Sequence, residues 1–149
     1  MQARRVPLFG DLLALARLRW VREMAAGLGA RGYPDYRRSD ASVLRHLRRD
    51  ELTIGQLGAT LGVTRQAARH VVDGLEARGY ARTTRDAHDS RRVRVALTTT
   101  GSAYADAVID VVHSLNEELT VRLAPEQLEA ARAALQAIIE APSTSTIDS

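Results

Sequence analysis

Two short apolar stripes broken by Gly62 constrain this chain more than any other feature, because they predict two helices meeting at a sharp corner within residues 53–77. The first opens at Thr53 with Gln56 three residues on, the spacing at which a hydroxyl caps a backbone N–H while an amide reaches back to the cap. Leu57 and Leu61, four apart, share its buried face. Gly62 ends it, since glycine accepts at little cost the left-handed conformation that stops a helix. Thr64 caps a second helix in which Ala68, Val71, Val72 and Leu75 recur at helical spacing and pack inward. The opposite side displays Arg65, Gln66, Arg69 and His70, each a hydrogen-bond donor or acceptor.

A polar face alone is the usual solvated side of an amphipathic helix; the next segment gives it meaning. Gly79 ends the helix, and Ala81 to Arg85 is expected to pair with Arg92 to Leu97, where Val93, Val95 and Leu97 alternate with Arg92, Arg94 and Ala96. The loop between them carries Asp89 and Arg91. A helix-turn-helix followed by a basic hairpin is a winged helix, whose second helix can enter a major groove while the hairpin tip reaches the duplex beside it. The expected fold is therefore mainly α with a small β-hairpin wing. Expected DNA contacts are Thr64, Arg65, Gln66, Arg69, His70, Arg91, Arg92 and Arg94. Asp89 is expected to orient the wing through a charge-assisted hydrogen bond to the arginine side chain or to the turn.

These residues resemble the MarR (multiple antibiotic resistance regulator) family of bacterial transcription factors. That family's wing carries Asp-x-Arg a fixed distance before Leu-Thr-x-x-Gly, here Asp89-Ser90-Arg91 followed by Leu97, Thr98 and Gly101. Val63-Thr64-Arg65, Val72-Asp73-Gly74-Leu75-Glu76 and Arg78-Gly79-Tyr80 fall where its recognition helix and exit lie, without a gap over about fifty residues. The wing departs in having Ala87 where proline is frequent, and Ser90-Arg91 where two arginines are. The resemblance implies a homodimeric regulator, more often a repressor, acting on a pseudo-palindromic operator. It also implies release by a small aromatic or anionic effector, for which Trp20, Met24, Tyr36 and, less readily, Tyr33 are the candidates. Trp20 and Met24 lie on an apolar stripe, and core or interface is the stronger reading for both.

Composition agrees with a small DNA binder. The chain of 149 residues has no cysteine, which excludes disulfides, thiolate metal sites and a thiol redox switch. All 21 basic residues are arginine. Residues 37–94 hold 13 arginines against 7 acids, whereas 95–149 hold 2 against 8, so the middle is the part suited to phosphate. No apolar run approaches a membrane span, and a cytoplasmic location is expected. His46, His70, His88 and His113 are scattered without metal-ligand spacing, and no nucleophile elbow or phosphate loop is present, so neither metal, cofactor nor enzymatic activity is expected.

The ends read as helices with apolar faces: Phe9, Leu13, Ala16, Trp20, Met24 and Leu28 near the start, Tyr104, Val108, Val111, Leu115 and Leu119 later, then Leu128, Ala131, Leu135 and Ile138 after Pro125. A reading head cannot bury all of these, and packing against a second copy is the economical solution. The expected organisation is one domain: a winged helix at 37–100, dimerisation helices at 1–36 and 101–141, and a flexible tail at 142–149. Two rival readings remain, a winged helix that docks proteins and a DNA-binding regulator that needs no ligand. The arginines of the wing tip argue against the first.

Overall fold

The corner at Gly62 forms as the spacing requires. In the structure, a computed structural model describing residues 6–89 and 91–142, Thr53 Oγ1 accepts from the Gln56 N–H at 3.2 Å while Gln56 Oε1 accepts from the Thr53 N–H at 2.9 Å. Gly62 takes φ 65°, and Thr64 Oγ1 accepts from the Ala67 N–H at 3.1 Å. The elements in order are α1 (Phe9–Ala30), α2 (Asp40–Leu47), β1 (Leu52–Thr53), α3 (Ile54–Leu61), α4 (Arg65–Ala77), β2 (Ala81–Arg85), β3 (Val93–Leu97), α5 (Thr99–Arg122) and α6 (Pro125–Glu140). The chain divides into two compact units, with the boundary within α5 between Val112 and His113.

In the first unit the inward faces of α2, α3 and α4 close over Val95 of β3 and over Tyr104 and Val108 of α5, and all of these are buried. Burial of such side chains contributes roughly 1.5–3 kcal/mol each and fixes the angle at which α4 is presented. The sheet is larger than the expected hairpin. β1 pairs antiparallel with β3, Leu52 opposite Val95 and Thr53 opposite Arg94, giving the order β1-β3-β2. Two residues joined directly to a capped helix carry too little alternation to read as a strand. Arg92, expected to open β3, lies outside it, because the ladder ends where Arg85 meets Val93 and the chain then turns.

Each unit leaves apolar surface open. In the first, Met24 and Leu28 are buried, but Phe9 at the start of the same helix is 56% exposed and Leu12, Leu15 and Leu18 are exposed too. In the second, α6 begins with Pro125 and buries no residue, and its Ile139 is 81% exposed. Of the tail expected from residue 142, residues 143–149 lie outside the described residues.

Candidate nucleic-acid interface

The face of α4 turned away from the core carries Arg65, Gln66, Arg69 and His70, all exposed, because Ala68, Val72 and Leu75 take the buried positions. Ile54, Arg65, Gln66 and Arg69 line an open cleft of ≈ 340 Å³. Arg69 Nε donates to Asp73 Oδ1 at 2.8 Å one turn on, a half-exposed pair of small net value that can be exchanged for another anion. The hydroxyl of Thr64 is engaged as the helix cap.

At the wing, Asp89 holds the turn. Its Oδ1 accepts from the Arg91 N–H at 3.0 Å, its backbone oxygen accepts from the Arg92 N–H at 2.8 Å, and its Oδ2 lies 3.7 Å from Arg92 Nε. Of the two roles the sequence left open for Asp89, the geometry is that of the turn, with Arg92 rather than Arg91 as the neighbouring cation. Asp86 works beside it: Oδ1 accepts from the His88 N–H at 2.9 Å, and Oδ2 is 3.7 Å from Arg94 Nε. The His88 N–H first, and the nearby arginines after it, hold the Asp86 carboxyl below its usual range. Arg94 lies opposite Thr84 in the ladder and is exposed, as are Arg91 and Arg92.

The wing root is joined to α4 by Glu76, whose carboxylate accepts from both the N–H and the hydroxyl of Thr83 at 3.0 Å. A second anchorage was not foreseen from sequence. Asp40, 1% exposed, accepts from both terminal nitrogens of Arg78 at 2.9 Å, from the Tyr104 hydroxyl at 3.0 Å and from the Arg37 N–H at 3.0 Å. Tyr104 stacks on Tyr33 at 4.5 Å and leans on Tyr80 at the same distance, while Tyr80 donates to Asp35 at 3.1 Å. Burial, and then the charge of Asp40, pushes the Tyr104 hydroxyl far above its ordinary value, so it stays a donor. This cluster bolts the C-terminal end of α4 to α2 and α5, which sets the direction of α4.

The expected effector residues differ in their surroundings. Met24 is 1% exposed and belongs to the core, Trp20 and Tyr36 are partly buried, and Tyr33 is taken up by the tyrosine stack. Burial, helped by the charge of Asp40, raises the Tyr36 hydroxyl above its usual value.

Comparison with known proteins agrees with this architecture. Residues 35–92 match the MarR family model. No curated protein matches the sequence. Among solved structures, the chain is similar to MepR of S. aureus in complex with DNA, at 20% identity and TM-score 0.80, covering 90% of this chain and 98% of that one. It is similar to a cysteine-to-serine variant of E. coli MarR complexed with operator DNA, at 25% identity and TM-score 0.70, covering 90% and 99%. It is also similar to BpsR of Bordetella bronchiseptica, whose DNA binding is regulated by 6-hydroxynicotinic acid, at 21% identity and TM-score 0.75, covering 95% and 100%. Residues 35–92 thus match the MarR family model, and the chain shares the winged-helix fold of these MarR-type structures.

Proposed function

We propose that the protein is a sequence-specific regulator of transcription that binds a pseudo-palindromic duplex as a homodimer, in the cytoplasm, as a repressor released by a small aromatic or anionic ligand. The observation that carries the reading is the exposed row Arg65, Gln66, Arg69 and His70 on α4, joined through Arg65 to a wing whose Arg91, Arg92 and Arg94 are exposed. MepR and MarR were solved with DNA on the same fold, and BpsR responds to a small carboxylic acid, which supports the partner and the ligand class. Among the described residues no helix is long and apolar enough to cross a membrane. The closed position of Met24 favours, as second reading, a regulator that needs no ligand.

Selection of duplexes from a random pool tests the proposal. The recovered motif should be two inverted half-sites with centres roughly 10 base pairs apart, one helical turn. The wild type should sediment as a dimer at micromolar concentration, and Phe9→Arg as a monomer that still folds, because that side chain is exposed in the single chain. A monomeric wild type, or a single asymmetric footprint, would refute the scheme.

The wing makes a second prediction. Arg91→Ala should weaken binding and flatten the slope of log affinity against log salt by about one unit per head, the signature of one lost phosphate contact. Asp89→Ala should also weaken binding, although it makes the protein more positive, because the turn that presents Arg91 loses its acceptor. Tighter binding by Asp89→Ala throughout a salt titration would make the carboxylate a mere charge in the field.

A further inference from the structure

Arg65, the first residue of α4, does not stand free over the reading face. Its Nη2 donates to the backbone oxygen of Arg91 at 2.8 Å, across 26 residues of chain. The Arg91 peptide segment is thereby held from both sides, its N–H by the Asp89 carboxylate at 3.0 Å and its carbonyl by the Arg65 guanidinium. Among the described residues the guanidinium of Arg91 itself has no hydrogen-bond or ion-pair partner, so the clamp fixes the backbone and leaves the side chain to reach outward.

We propose that Arg65 is a positioning residue that locks the wing tip to the start of the recognition helix, so that the two meet a duplex as one rigid body. This rests on the DNA-binding function proposed above. The position in the major groove taken by α4 then dictates where Arg91 enters the neighbouring minor groove, and selectivity flanking the half-site becomes a property of residue 65. Guanidinium suits this task because its five donors lie in a fixed fork: one terminal N–H can hold a carbonyl while others still face a phosphate. Ordering the backbone of the tip before binding removes part of the entropy cost of association.

The test is a double-substitution cycle on the selected duplex, joined to a measurement on the free protein. Arg65→Ala and Arg91→Ala should each weaken binding on the order of tenfold, and the double variant should be no weaker than the worse single one, because Arg91 no longer reaches its groove once residue 65 is alanine. In the Arg65→Ala background, Arg91→Ala should leave the salt slope unchanged. The sequence preference of Arg65→Ala should relax at the flanks and persist at the positions under Gln66 and Arg69. Arg65→Lys, which keeps a donor and the charge, should recover part of the coupling. In the protein without DNA, the Arg91 amide order parameter should fall from the rigid range near 0.85 toward the mobile range below about 0.6 in Arg65→Ala. Multiplicative effects with loss of preference at one central base pair would make Arg65 a base reader and overturn the proposal, as would an unchanged amide order parameter. A wild type that selects no duplex would sink the DNA-binding reading instead, and the amide measurement would still decide the clamp. Residue 65 is exposed at a helix start, so the alanine variant keeps its fold.

Discussion

Asp40→Ala should lower stability by about 3–5 kcal/mol, read as a fall in the urea midpoint at constant slope. The carboxylate is 1% exposed and accepts four hydrogen bonds, so its removal orphans a tyrosine hydroxyl, a backbone N–H and a guanidinium whose side chain is only 13% exposed. An isolated surface pair would be worth about 1 kcal/mol or less, and the difference between these figures is the content of the prediction. Arg78 has a partial refuge, since its Nη1 also donates to the Asp35 backbone oxygen at 3.1 Å and lies 3.5 Å from Asp35 Oδ2. The lower end of the range is therefore expected. Tyr104→Phe, which keeps the ring stack and deletes one donor, should cost about 1 kcal/mol. Asp40→Ala within experimental error of the Tyr104→Phe loss would show that solvent reaches the cluster and that it does not anchor α4.

What could be read beforehand followed local rules. Caps, the glycine corner and the helical period depend on residues three or four apart, and each of Thr53, Gln56, Gly62 and Thr64 sits where its neighbours alone place it. β1 escaped because its pairing partner Val95 lies more than forty residues on and its two residues show no period. The Asp40 cluster escaped for a related reason, since it joins α2, α4 and α5 across 38 and 64 residues. One signal was present. Asp40, Val43, Leu44 and Leu47 fall on one helical stripe, and a carboxylate on an apolar stripe requires a buried cation somewhere in the chain. That signal went unread, and nothing in the spacing names Arg78 as the partner. The hold of Arg65 on Arg91 was hidden more completely, because an arginine at the start of a reading helix has an obvious use and nothing in its spacing points to a carbonyl in the wing.

Gly101→Ala should destabilise the protein by about 3 kcal/mol, and here two physical effects predict opposite signs. Gly101 lies inside α5, where intrinsic propensity favours alanine over glycine by about 1 kcal/mol, so a helix considered alone would gain from the change. The tertiary contact decides otherwise. A Cβ at this position would fall 1.7 Å from the Tyr80 carbonyl oxygen and 2.7 Å from its carbon, and both are backbone atoms with no rotamer to change. The carbonyl is fixed in turn, because it accepts from the Thr98 N–H at 3.1 Å, while the Thr98 hydroxyl accepts from the Gly101 N–H at 3.0 Å and donates to the Gly79 oxygen at 2.7 Å. The Leu-Thr-x-x-Gly signature thus acquires a mechanical sense: threonine caps α5 and ties it to the residue ending the α4 turn, and glycine lets the helix sit directly on the root of the wing. Forcing in a methyl group has to lift α5 from Tyr80 or break the cap. Thermal or urea unfolding of Gly101→Ala decides between the two effects, and a gain in stability would show that the helix start can move away from the wing at no cost.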